Sequence, residues 1–201
     1  MKKETGIIMS GDHPAKVIAG TKTMTRRVMK PQPIWSETDT GGYWRIEGYE
    51  SGEQVYSGPF DPEEYAKSQP GAWFAHSGCP YGRVGDLLWI REAWKYLDKE
   101  HTRVGYRASP DTCQVSGLIL LGNWKPSIHM FRKDSRIERK ITQLRAERLQ
   151  DISIEDVFAE GIPNHWDDQG AACEFISLWD SLNAKRGYSF KSNPWVWVIG
   201  F

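Results

Sequence analysis

The first apolar run, GIIM at residues 6–9, predicts a short opening strand. SGDHPAKVIAG then predicts a short helix. Ser10 or Asp12 can cap it, Pro14 suits its first turn, and Gly20 suits a left-handed stop. Val17 and Ile18 are its core-facing residues. Further on, LLWIREAW is dense in β-forming residues and follows a Gly85-Asp86 turn, which predicts a strong strand with Arg103–Tyr106 as a partner. Val115–Leu121 is apolar but flanked by glycine, and its assignment stays open. Ile137, Ile141 and Leu144 recur at i, i+4 and i+7, so periodicity alone leans towards a helix, with a long twisted strand as the alternative. Ser153 followed by Asp156 has the form of a capping box, Ile154, Val157 and Phe158 make an apolar stripe, and Gly161 ends that helix. A second amphipathic helix over 171–182 carries Phe175, Ile176, Trp179 and Leu182. After an Asn193-Pro194 turn, WVWVIGF predicts a last strand.

Residues 31–75 break this rhythm. They are rich in Gly, Pro, Ser and aromatics, with a turn expected at Gly41-Gly42 and hairpin strands at YWRIEGY and EQVY. The stretch has too few aliphatic residues for a core of its own and predicts an insertion in a single domain spanning 1–201. Short helices between separated strands predict an α+β fold, a small barrel or curled sheet.

Composition changes the picture in one respect. The net charge is zero, with 26 basic and 26 acidic residues, which argues against a uniformly basic nucleic-acid coat. The distribution is nonetheless uneven. Arg132–Arg148 holds seven basic residues against three acidic ones, while Asp151–Asp180 holds only acids. A basic face can therefore hide in a neutral total. Cys79, Cys113 and Cys173 give no disulfide framework. With no signal peptide and no apolar stretch long enough to span a bilayer, the expectation is a cytoplasmic protein with no membrane partner.

The chemistry starts from GTKTMTRR at 20–27. A threonine hydroxyl is a weak nucleophile without a base. Lys22 is such a base only if burial or neighbouring charge favours its neutral form. In a regular strand, residues three apart point to opposite faces, so Lys22 and Thr25 meet only if the backbone bends. Glu160, off the apolar stripe in the last turn of its helix, opposes the macrodipole and needs either solvent or a distant cation. His76-x-x-Cys79, with Cys113 or His129, supplies one usable ligand pair, too few for a metal site. His129 stands among apolar neighbours and is either a structural histidine or a site residue. No glycine-rich dinucleotide loop, phosphate loop or zinc-protease motif occurs, so no cofactor is expected.

Several stretches together resemble the ASCH-domain proteins of bacteriophages and prophages: AGTKTMTRR, YGRVGDLLWIREAW, KPSIHMFRKDSRIERKIT, ERLQDISIEDVFAEGI and FISLWDSLNAKRGYSFKSNPWVWVIGF, in that order along most of the chain. The resemblance implies a PUA-like β-barrel with flanking short helices, and it assigns 136–146 to strand against the period. It implies RNA or a modified nucleoside as partner. Some small ASCH proteins are amidohydrolases that deacetylate N4-acetylcytidine. Their catalytic set corresponds to Lys22 as base, Thr25 as nucleophile or water-positioning hydroxyl, and Glu160 as orienting or proton-shuttling acid, with Glu155 the nearby alternative. Arg26 would stabilise an oxyanion or hold a phosphate, and Arg91, His129, Arg132 and Arg136 are the further substrate or nucleic-acid contacts. The competing readings are a non-catalytic reader of RNA or modified bases and a metal-independent ribonuclease using His129 or Lys22. A phage structural role is a fourth reading, without a recognisable assembly surface.

Overall fold

The computed structural model describes residues 3–38, 41–45, 79–108, 123–164 and 167–201. In chain order the strands and α-helices are β1 (Glu4–Ile8), α1 (His13–Ala19), β2 (Met24–Val28), β3 (Ile34–Thr38), β4 (Gly41–Arg45), β5 (Leu87–Arg91), β6 (Trp94–Tyr96), β7 (Val104–Tyr106), β8 (Glu138–Lys140), β9 (Gln143–Arg148), α2 (Ile154–Ala159), α3 (Asp168–Asn183) and β10 (Trp195–Gly200). This is a mixed α+β chain. Among the described residues the sheets are β1-β5-β8, β2-β10-β9, β3-β4 and β6-β7, all open. The chain divides into two compact units. One comprises Met1–Thr23, Pro80–Thr142 and Phe201; the other comprises Met24–Cys79 and Gln143–Gly200.

In the first unit β1 runs parallel to β5, and β8 pairs antiparallel with β5. Alternation sends Ile7, Leu88 and Ile90 into the core, each at most 1% exposed. On the other face Gly6 pairs with Trp89, and a Cβ on Gly6 would stand 2.6 Å from the indole ring. Glycine is required there because the ring lies over its backbone. Asp86 ties the start of β5 to the strand beside it by accepting from the backbone N–H groups of Lys3 (3.0 Å) and Arg83 (2.9 Å). The expected helix is α1, ended by Gly20 at φ +76°. Its start differs from expectation. Asp12 occupies the cap position in helical geometry and makes no capping bond; its carboxylate pairs with Lys16 at 2.9 Å instead. Val17 is buried, but Ile18 is 49% exposed and does not join the core.

In the second unit β10 is the central, fully buried strand between β2 and β9, antiparallel to both. Val196 and Val198 pack with Val157, Phe175 and Trp179 from α2 and α3. Burying each such side chain stabilises by roughly 1.5–3 kcal/mol. Ser153 caps α2 by accepting from Asp156 N–H at 3.2 Å, and Gly161 follows at φ +88°. Helix α3 is longer than predicted and leaves Leu182 exposed.

Within 136–146 the chain forms two strands, β8 and β9, rather than one, with Arg136, Ile137, Ile141 and Thr142 outside them; the strand assignment holds in part, against the helical period. The physical reason lies in the spacing. Ile137 and Ile141 are four apart, and an even spacing satisfies the two-residue alternation of a strand as well as a helical turn. Leu144 falls out of phase because the strand breaks between β8 and β9. Gly41 and Gly42, expected as a turn, instead open β4 opposite Thr38 and Glu37. EQVY, most of the 31–75 insertion, Val115–Leu121, His76 and Cys113 lie outside the described residues.

Candidate functional site

The second unit gathers five charged side chains on one sheet face. In the register of its sheet, Arg26 on β2, Val198 on β10 and Arg145 on β9 form one row; Val28, Val196 and Glu147 form the next. Alternation therefore puts Arg26, Arg145 and Glu147 on the same face. Helix α2 packs on that face through Val157 and brings Asp156 and Glu160, four residues apart and so on one helical side, over the arginines.

The contacts are close. Arg26 donates from Nε and Nη2 to Glu147 Oε1 at 3.1 and 2.6 Å, and from Nη2 to Asp156 Oδ2 at 2.5 Å. Its Nη1 reaches Glu160 Oε1 at 3.5 Å and Met24 Sδ at 3.7 Å. Arg145 donates from Nε to Glu147 Oε2 at 2.8 Å and from Nη2 to Asp156. The Arg26 side chain is 1% exposed, and those of Glu147 and Glu160 are 5% and 8%. Burial opposes the arginine's charge, but the facing charges of Glu147 and Glu160 and the hydrogen bonds outweigh it and hold the guanidinium above its usual range. Arg26 was expected to meet an oxyanion or a phosphate. Its donors are instead committed to three carboxylates and a thioether, so its place here is to hold acids in position.

The other expected catalytic residues fall in different places. Glu160, at the C-terminal cap of α2, is buried and meets Arg26. Thr25 is 3% exposed, in a row with Ile199 and Leu144, and so stands on the sheet face opposite Arg26. Lys22 belongs to the first unit, where its backbone N–H bonds Lys16 O after the end of α1; it is 2% exposed. Strand β2 begins only at Met24, so the alternation rule that separates residues three apart does not extend to Lys22.

The expected binding residues Arg91, His129, Arg132 and Arg136 all lie in the first unit. Arg91 donates to Ile128 O and stacks over Trp89 at 5.3 Å. His129 is exposed in a single 3-10 turn, Ser127–His129. Arg132 bridges Glu4 (2.8 Å) and Glu138, and those hydrogen bonds, Glu4's first, raise its pKa. Arg136 grips buried Glu92 through Nε (2.9 Å) and Nη2 (3.1 Å) and lies over Tyr106 at 4.2 Å. Arg139 and Arg148 donate to the carbonyls of Val17 and Asn193. The basic run is thus divided between the units, and each of its arginines is engaged with protein acceptors.

Glu92, Arg145, Glu147 and Asp156 were not singled out from sequence as site residues, Asp156 being read only as part of a helix cap. Two signals were present: Arg145 and Glu147 share a strand face at spacing two, and Asp156 and Glu160 share a helix side at spacing four. Among the described residues no group of three or more His, Cys, Asp and Glu is arranged to hold a metal ion. No protein-family model matches the chain, and no curated protein or solved structure matches it.

Proposed function

We propose that the chain is an ASCH-type, PUA-like protein of bacteriophage kind that works in the cytoplasm on modified nucleosides, hydrolysing N4-acylated cytidine to cytidine and a carboxylic acid. The observation that carries this reading is burial. Lys22, Thr25, Arg26 and Glu160 are all buried, in a set of described buried polar residues that otherwise consists of Glu92, Lys95, Asp134 and Glu147. A stretch such as GTKTMTRR would ordinarily be a solvated strand. Removing lysine, threonine and glutamate from water without need is costly.

In this reading Lys22 takes the proton from Thr25 or from a water held by it, and the resulting oxygen attacks the acyl carbon; where Thr25 attacks, a water then cleaves the threonyl ester to release the carboxylic acid. Glu160, oriented by Arg26, passes the proton taken up by Lys22 to the leaving N4 amine. The alternation along β2 bears against Thr25 and Glu160 acting on one atom, so the variants must be scored separately.

The test is turnover of N4-acetylcytidine by wild type and by Lys22→Ala, Thr25→Ala and Glu160→Gln. Loss of a base or nucleophile should lower kcat by about 100-fold or more. Full deacylation by both Lys22→Ala and Thr25→Ala sinks the mechanism. Binding of RNA by wild type with no turnover of any acylated cytidine would favour the non-catalytic reader.

A further inference from the structure

In the second unit, residues of α2 and α3 line a cleft of about 350 Å³. The core residues Val157 and Phe175 contribute to it, and so do the half-buried side chains of Ile152, Ile154, Ile176 and Phe190. The volume lies at the low end of the range for ligand pockets, roughly 300–1,000 Å³. It has room for a few side chains and not for a folded element. The charges beside it are negative. Asp168 lines the cleft and Glu155 follows Ile154; both are exposed, and neither has an ion-pair partner among the described residues. From Asp151 to Asp180 the chain carries no lysine or arginine, and Lys191, next to Phe190, offsets only one of these acids. The complement of such a cleft is an apolar side chain with cations on either side.

The first unit displays a segment of that kind. Ile128 is 54% exposed and Phe131 is 62% exposed. Lys125 and Lys133 stand on either side of them in the chain, both exposed and without a carboxylate partner among the described residues. The backbone that carries them is tied down. Met130, between the two, is 2% exposed, and Arg91 donates to Ile128 O. Tyr96 donates to the Asp134 carboxylate at 3.2 Å, and Tyr106 donates to Asp134 O at 2.9 Å. Phe131 meets the edge of Trp94 at 6.5 Å between centroids and keeps most of its surface in water. A segment fixed in this way loses little backbone freedom when its side chains are buried by a partner.

We propose that the occupant of the cleft is this segment from a second copy of the chain, with Phe131 as the apolar anchor and Lys125 and Lys133 directed to the acidic margin. A single chain leaves Phe131 and Ile128 in water, so the contact belongs to an assembly. One short segment in one cleft is a small interface. In a two-fold pair each chain gives its segment and receives that of its partner, so the contact is made twice.

The experiment is sedimentation velocity of the full chain over a concentration series from about 2 to about 200 µM, the range in which a contact of this size is read. Wild type should pass reversibly from monomer to dimer. Phe131→Ser should weaken association by at least about 30-fold, the loss typical of an aromatic anchor at an interface. Asp168→Lys should weaken it from the side of the cleft. Both residues are exposed, so both variants should fold. An equal mixture of the two variants keeps one intact contact, the natural segment of Asp168→Lys in the natural cleft of Phe131→Ser, and should associate more tightly than either variant alone. Ile18→Ser, which removes an apolar side chain 49% exposed elsewhere in the first unit, should change nothing. A wild type that stays monomeric throughout overturns the proposal and leaves the cleft to a different partner. A dimer unaffected by Phe131→Ser or by Asp168→Lys, a mixture no tighter than its components, or an equal loss in Ile18→Ser overturns it as well. None of these outcomes depends on whether the chain deacylates cytidine.

Discussion

A buried arginine with three carboxylates and a half-buried arginine across the sheet behave differently from the same charges on a surface. Arg26 and Glu147 have given up nearly all their water and Asp156 most of it, and they are compensated within the cluster, with Arg145 and Glu160 as its other members. Arg26→Ala leaves carboxylates buried without their main counter-charge, a loss of about 3–5 kcal/mol by analogy with broken buried pairs. Arg132 also pairs with two acids, Glu4 and Glu138, but its side chain is 37% exposed. Arg132→Ala should cost no more than about 1 kcal/mol. Urea unfolding of the two variants beside wild type measures both; equal losses would refute the distinction. The identity of the site residues was only partly legible in sequence. Lys22, Thr25 and Glu160 stood out from their residue chemistry, the family resemblance joined them into one set, and their burial could not be read from spacing. Glu147 and Asp156 were hidden because a carboxylate on a strand and one on a helix reveal their common cation only once the strands are in register.

At the scale of the element, Asp86 shows how one side chain fixes the entry to a strand. Its carboxylate accepts the Lys3 N–H beside β1 and the Arg83 N–H of the preceding turn. The hydrogen bond from Lys3, followed by that from Arg83, holds its pKa below the ordinary 3.8. The folded pKa is thus lower than the unfolded one. The contribution is fully present above about pH 4 and is lost as pH falls through the folded value. Asp86→Asn should be less stable than wild type near neutrality, with the difference narrowing below about pH 4. Thermal unfolding from pH 3 to 7 reads this; a constant gap across that range would remove the linkage. Other elements were legible where one local signal sufficed. Ser153 and Gly161 bracket α2, and the apolar run of β10 announced a strand, whose central place only the pairing showed. Legibility failed where two periods coincide, as for Ile137 and Ile141, and where tertiary context decides. Asp12 had Lys16 one turn away and chose that partner over the cap.

For the whole molecule, 26 basic residues stand against 26 acidic ones, and the arginines of the 132–148 run are individually met by protein acceptors. Glu92 answers Arg136, Glu4 and Glu138 answer Arg132, Glu147 and Asp156 answer Arg145, and backbone carbonyls answer Arg139 and Arg148. A protein that tracks a phosphate backbone needs cations free to displace counterions, and affinity then falls steeply with salt. Arginines already bonded within the protein would have to break those contacts first, and the energy of the new ones would be offset by the old. The net effect is a weak polyelectrolyte response despite the local density of basic residues. For a single-stranded RNA, log K against log salt should have a slope no steeper than about −2, corresponding to some two or three phosphate contacts. Fluorescence anisotropy over a potassium chloride series measures it. A slope of about −4 or steeper would mean that the basic run opens to meet the backbone. The reader of RNA would then become the better account of this chain than an enzyme acting on a single nucleoside.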